Sequence, residues 1–297
     1  ANGFTDVGYL GGGIKSCGNL LVPRPITADE NWTLYQFIRP GKASCSYGLL
    51  VGNEMALFDP TRNIEFYLDF AKEQGCRITK TFETHLQADY IAGSRMIGEK
   101  TGAEIVANSG DFKDATFQYI PVIDEGTHSF TNGGPVIKTL CTPGHTPGST
   151  CYLIDDRFLI SGDTVFLHSV GRPDLGGQVN TWSDMLFETL QKIKEMPSTT
   201  IILPGHYIDW EEASDDLVFA APLAEVIQFN QSIYDLTDKG SFLTFIKANM
   251  RKQPDEYATI RLINANIEQV DDEKAEELDL GKNECAASAY AAAKQDE

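Results

Sequence analysis

Three of the five histidines share one setting. His85, His145 and His206 each stand just past a run that reads as a β-strand, in short segments rich in Gly, Pro or Asp. Asp163, in Ser161-Gly162-Asp163-Thr164, follows another strand in the same way. Loops at the carboxyl ends of strands are where a rigid scaffold carries its chemistry. Two imidazoles and one carboxylate on one face suit ferrous iron with open positions for oxygen. The same donors suit catalytic zinc, which takes three protein ligands and a water. Residue types alone leave both metals open. Of the other two histidines, His128 reads as a polar turn residue and His168 as a candidate for the same pocket.

The elements that must position these residues are legible from patterning. Short β-rich runs lie at Tyr35–Ile38, Tyr47–Val51 and Ala56–Phe58, with Gly52-Asn53 as a hairpin turn between the last two. A helix is predicted over Ile64–Gln74, stopping at Gly75, and strand Arg77–Phe82 then runs into Glu83-Thr84-His85. Helix Ala92–Thr101 ends at Gly102, and Glu104–Ala107 is again a strand. The second half repeats the alternation: strands Val136–Cys141, Thr150–Ile154 and Phe158–Ser161, helix Trp182–Glu195 capped by Thr181 with Asp184 three residues on, and strand Thr200–Leu203. This pattern predicts an α/β (α+β) fold, sheet packed on sheet with helices outside. Residues 1–30, rich in Gly and Pro, read as an irregular arm. Residues 31–228 read as the catalytic domain, and 229–297 as a helical extension with an acidic, Ala-rich tail. The glycine cluster near the start lacks the GK[ST] ending of a phosphate loop.

Composition removes whole classes of function. The chain has 297 residues, 42% hydrophobic and 23% charged, which is globular composition. Lys and Arg number 24 against 43 Asp and Glu, a net charge of −19. So acidic a body, with its cations scattered, is repelled by nucleic acid. No apolar run approaches the ~20 residues a membrane span needs, and the start reads as neither a charged n-region nor an apolar h-region. The six cysteines contain no CxxC pair, so neither a disulfide scaffold nor a cysteine-ligated zinc site is expected. Cys141 and Cys151 read as core residues. A cytoplasmic protein is the expectation.

Specific motifs carry a resemblance. Glu83–Gly93 (ETHLQADYIAG) resembles the THxHxDH metal-binding loop of the metallo-β-lactamase superfamily. Thr142–Gly148 (TPGHTPG), Gly162-Asp163 and Pro204-Gly205-His206 follow in that superfamily's order. ETHxxAD, TPGHTPGS and Gly171-Arg172-Pro173-Asp174-Leu175 are similar to the persulfide dioxygenase (sulfur dioxygenase) branch, next to the glyoxalase II-like branch. A weaker echo runs through Tyr257–Leu280. The resemblance implies an αββα sandwich of two mixed sheets, and one Fe(2+) per chain, held by His85, His145 and Asp163. It also implies oxidation of a low-molecular-weight thiol persulfide, such as glutathione persulfide, with O2 to sulfite and thiol.

The departures matter as much. Gln87 and Tyr90 stand where the two-zinc hydrolases of the superfamily have His, and amide and phenol are poor zinc ligands. A two-zinc hydrolase is therefore disfavoured. Asp89, Tyr90 and His206 are expected beside the reacting centre, Asp89 and His206 orienting ligands or water. Gln87, Arg172 and Tyr207 are expected to meet substrate. Arg172 is the local cation that an anionic persulfide needs in an acidic protein, and its rival role is pairing with Asp174 to pin the loop. Two further readings stay open: a one-zinc thioester hydrolase like glyoxalase II, and an inactive member serving as a binding surface. The extension is expected to cover the site's mouth or to build a homodimer.

Overall fold

The computed structural model describes residues 18–29, 31–280 and 283–287. Most of the N-terminal arm and the Ala-rich stretch from Ser288 onward lie outside the described residues. The first sheet runs in order β1 (Val22–Ala28), β2 (Trp32–Arg39), β3 (Ser44–Val51), β4 (Glu54–Phe58), β5 (Arg77–Phe82), β6 (Glu104–Ala107) and β7 (Ile120–Pro121). Its first half is an antiparallel meander; β4 to β7 are parallel. The second sheet runs β13 (Ala221–Pro222), β12 (Ile201–Pro204), β11 (Phe158–Gly162), β10 (Thr150–Ile154), β9 (Ile137–Cys141) and β8 (Thr127–His128). Here only the β11–β12 pair is parallel. The two mixed sheets, with helices, form an α+β sandwich of the kind the resemblance implies.

Apolar residues on alternate strand positions make the seam between sheets. Phe58 of β4 stands 5.5 Å from Tyr152 of β10, ring to ring, and Trp32 meets Phe158 edge-on at 6.2 Å. Two buried hydroxyls cross the seam: Tyr47 donates to Pro204 O at 2.7 Å and Tyr152 to Glu83 O at 2.8 Å. Buried tyrosines need such partners, because an unmet hydroxyl in a core costs ~1–3 kcal/mol. On the other face of the first sheet, helices Ile64–Glu73 and Ser94–Thr101 cover Phe37, Leu57 and Ile78 with Tyr67, Phe70 and Ile97.

Two expectations change. Val22–Ala28 is a strand within the predicted irregular arm, held along its length by β2. Helix Val179–Lys194 starts a turn before its predicted cap, so Thr181 and Asp184 lie inside it and Gln178 stands at its start. Helix Leu223–Phe229 precedes the extension, which carries helices Gln231–Tyr234, Lys239–Asn249, Glu256–Asn264 and Asp272–Asp279. Its helices contribute to the same hydrophobic clusters as the sandwich: Tyr234, Phe242 and Ile246 join the main core, and Ile260, Ile263 and Leu278 pack with Ile91 of the metal loop. No helix among the described residues is long and apolar enough to cross a membrane.

Candidate metal centre

Topology brings the candidate ligands to one rim. β4 and β5 are parallel, as are β11 and β12, and β9 shares the direction of β11 because β10 is antiparallel to both. The carboxyl ends of β5, β9, β11 and β12 deliver His85, His145, Asp163 and His206. At the turn after β11, Gly162 has φ +50°, and a Cβ there would sit 2.3 Å from Thr84 Oγ1. Only glycine allows that close approach. Asp111 ties two of the loops together, its carboxylate accepting from Leu86 N at 2.9 Å, Thr146 Oγ1 at 2.6 Å and Gly148 N at 2.7 Å.

His85, His145 and Asp163 converge, all buried. Asp163 Oδ2 lies 3.7 Å from His85 Nε2 and 3.6 Å from His145 Nε2, and none of these three atoms has a hydrogen-bond partner. Three buried polar atoms left unmet at one point are costly unless something cationic binds them. The other nitrogens are fixed. His145 Nδ1 lies 2.8 Å from Arg172 O, and a carbonyl only accepts, so Nδ1 carries the proton and Nε2 presents its lone pair. Thr84 Oγ1 gives its proton to Asp59 Oδ2 at 2.7 Å, so at 2.9 Å it accepts from His85 Nδ1, with the same result. Burial, only partly offset by Asp163, lowers both imidazoles, His85 to about 3, so both are neutral at pH 7. Two neutral imidazoles and an ionised carboxylate are the donors a divalent first-row metal takes. The residues fit a resident metal ion.

His206 differs. Its Nδ1 stands 2.7 Å from Asp163 Oδ1 and its Nε2 3.0 Å from Asp89 Oδ2. Burial pulls its pKa down, but the two carboxylates outweigh that and raise it to about 10. His206 thus bridges the Asp163 and Asp89 carboxylates. Tyr90 packs its ring 6.1 Å from the His206 ring and donates to Asp59 O at 3.3 Å. The Gln87 amide nitrogen lies 3.5 Å from His85 Nδ1, so Gln87 stands at the centre.

Two residues expected to meet substrate do other work. The Arg172 guanidinium is buried, holds Asp174 through two bonds of 2.6 and 3.0 Å, donates to Glu284 O at 2.9 Å and also bonds Arg251 O. Four of its five N–H donors are thereby engaged in pinning the loop to the extension, and its backbone carbonyl is what reaches the centre. Tyr207 stacks on Phe219 at 3.8 Å and meets Trp210 at 5.3 Å. Consecutive side chains on extended backbone point oppositely, so His206, facing Asp163 and Asp89, turns Tyr207 away. His168 likewise stacks on Phe229, with ring centroids 3.5 Å apart.

Sequence reasoning missed several residues. Asp59 follows β4 as Asp163 follows β11, so its placement was a usable signal. Asn264 donates to Gln87 O and Tyr90 O, both at 2.9 Å, and Asp279 accepts from Ile91 N at 2.9 Å while pairing with Arg39 and Arg62. Both reach the metal loop from the extension, and no spacing in the sequence announces that. Neither does any spacing announce Cys285, whose sulfur lies within 4.8 Å of donor atoms of Asp89 and His206.

Comparison with known proteins agrees with this geometry. The Metallo-beta-lactamase superfamily profile matches residues 40–206, and the chain belongs to that superfamily. A hydroxyacylglutathione hydrolase of Rhizobium etli is 33% identical over 143 residues, 47% of this chain and 52% of the relative. The chain thus spans about half the length of the first curated relatives it matches. A metallo-beta-lactamase structure from Staphylococcus aureus superposes with a TM-score of 0.70 at 25% identity, over 80% of this chain and 73% of that one. ETHE1 from Myxococcus xanthus shares the fold at a TM-score of 0.68 and 22% identity, over 79% and 98%.

Proposed function

We propose that this chain is a mononuclear iron oxygenase that oxidises a low-molecular-weight thiol persulfide with O2 to sulfite and thiol. The observation that supports it is the convergence of three unpartnered donor atoms on His85, His145 and Asp163, beside a Gln87 and Tyr90 that supply no further imidazole. Ferrous iron in that set would supply open positions for sulfur and dioxygen side by side, together with redox chemistry. The protein's own part is positional. Thr84 Oγ1 and the Arg172 carbonyl hold the two imidazoles in the ligating tautomer, and His206 holds Asp163. Burial keeps bulk water from the donors and strengthens each of these bonds.

A one-zinc thioester hydrolase is the second reading, favoured by the hydroxyacylglutathione hydrolases among the relatives. One experiment separates them. Metal-free protein is loaded with Fe(II) without air, and oxygen uptake is followed on adding glutathione persulfide. Persulfide-dependent uptake with sulfite formation is expected. A zinc-loaded protein that cleaves S-lactoylglutathione, beside an iron form that consumes no oxygen, would overturn the proposal.

A further inference from the structure

A carboxyl group without a partner lies beneath the helices of the extension. Glu83, the residue after β5, is 2% exposed, and neither of its side-chain oxygens has a hydrogen-bond partner. The Ser94 hydroxyl, equally buried, stands beside it and is likewise unpartnered. Both residues line one cavity of about 300 Å³, walled by the metal loop, the start of helix Ser94–Thr101 and the helices Glu256–Asn264 and Asp272–Asp279. None of His85, Asp89, His145, Asp163 and His206 lines it. We propose that this cavity is a binding site for a small organic amine, and that its acids suit a short diamine with an ammonium group at each end.

An orphaned acid and hydroxyl in one cavity call for a hydrogen-bond donor, because each costs free energy until a partner binds. The cations on the cavity wall are engaged elsewhere: Arg62 pairs with Asp279 at 3.0 Å and Arg95 with Glu99 at 2.7 Å. A hard metal ion is the poorer occupant. Ca(II) and Mg(II) take six or more oxygens, whereas Glu83 and Ser94 supply three. An ammonium group carries three donors, matching those two carboxyl oxygens and the hydroxyl. Its methylene stem suits the apolar side chains of Ile91, Phe112, Ile263 and Val270. Exposed Glu268 and Asp272, on the same cavity, offer carboxylates to the second ammonium. Amine and Glu83 share one proton, whichever of them holds it, so recognition does not turn on the state of the acid. A net charge of −19 draws such cations to the surface, and the volume is at the small end of ligand sites. Asn264 already crosses this seam, its Oδ1 accepting from Ala92 N at 2.9 Å, and a bound diamine adds a second tie between metal loop and extension.

The test is isothermal titration of the full chain with 1,4-diaminobutane, run on metal-free and zinc-loaded protein, with 1,4-butanediol as the uncharged control. Saturable binding with a Kd of about 1 mM or tighter is expected. It should be the same in both metal states, with none for the diol. Glu83→Gln, near-isosteric, is expected to weaken the diamine roughly tenfold or more, as loss of a charged hydrogen-bond partner does. Glu268→Gln together with Asp272→Asn should weaken it about threefold, the scale of exposed ion pairs, and leave butylamine unchanged. Absence of saturation, binding seen only with the metal present, or full affinity in Glu83→Gln overturns the proposal. Equal weakening of both amines by the double variant overturns the two-ended assignment. Should Glu83→Gln fail to fold, Val270→Trp fills the cavity from the side of the extension, and unchanged affinity there overturns the proposal as well. Oxygen uptake by the iron-loaded protein reads a different group of residues, so failure of either experiment leaves the other standing.

Discussion

Two donor sets lie side by side in this fold and use buried histidine in opposite charge states. In the first, each imidazole gives its one proton to a fixed neutral acceptor, Thr84 Oγ1 or Arg172 O, and turns its other nitrogen toward a single carboxylate. Both are neutral, with His85 pushed down to about 3. In the second, His206 is buried just as deeply, yet each of its nitrogens faces a carboxylate and its pKa rises to about 10. Burial is common to both and favours the neutral form in both. The number of carboxylates within hydrogen-bond reach decides the outcome, because unit charges ~4 Å apart interact by several kcal/mol at an effective dielectric near 20. One set thereby presents neutral imidazoles with free lone pairs, whereas in the other His206 keeps its proton and its charge.

The largest way to break this contrast is Asp163→Ala. Asp163 serves both sets, so its removal should cut bound metal to below a tenth of wild type by elemental analysis; normal loading would mean the carboxylate is not a ligand. Thr84→Val comes next. It takes away the acceptor that fixes the His85 tautomer, and a loss of ~10–100-fold in metal affinity is expected in competition with a chelator. Unchanged affinity would show that the hydroxyl orients nothing. Arg172→Lys keeps the charge but loses the paired bonds to Asp174. A destabilisation of about 2 kcal/mol, a few degrees in thermal midpoint, is expected with metal content intact. A raised KM without thermal change would restore Arg172 as a substrate residue.

The gentlest test is pH. In the metal-free chain His85 binds fewer protons folded than unfolded between its ordinary pKa near 6.5 and about 3, so stability falls as pH drops through that window. His206 binds more protons folded than unfolded between about 6.5 and 10, so stability also falls as pH rises there. The thermal midpoint should peak near pH 6.5 and fall on both sides. A midpoint rising steadily toward pH 10 would contradict the charged state assigned to His206.

Patterning located much of the frame. β5, β6 and β10 have the boundaries that alternation and flanking turns predicted, and the helices after Asn63 and Gly93 stop at Gly75 and Gly102 as expected. These elements are set by local rules, namely period of burial, left-handed glycines and turn dipeptides. β1 escaped notice because its Pro and Arg residues suit an edge strand and give no clean alternation. The predicted cap at Thr181 failed because two residues of helix, Val179 and Asn180, precede it, and packing of Trp182 and Leu186 rather than a cap fixes where that helix lies.

At the centre the division follows the same line. His85, His145, Asp163, Asp89 and His206 were legible, since short motifs at strand ends mark candidate donors. The jobs of Arg172 and Tyr207 were not, because a guanidinium can meet a substrate or a neighbouring Asp with equal chemistry, and only the fold shows that Asp174 and two carbonyls reach it first. Asp279, Asn264 and Cys285 come from the extension, and their approach to the metal loop depends on helices docking across the whole sandwich. By itself the sequence determined the kind of protein and its first candidate donor set, through residue types at strand ends. Tertiary structure decided the charge on each histidine, the duty of Arg172 and the place of Cys285. Those depend on which groups from distant segments lie within a few ångströms, and no local pattern encodes that distance.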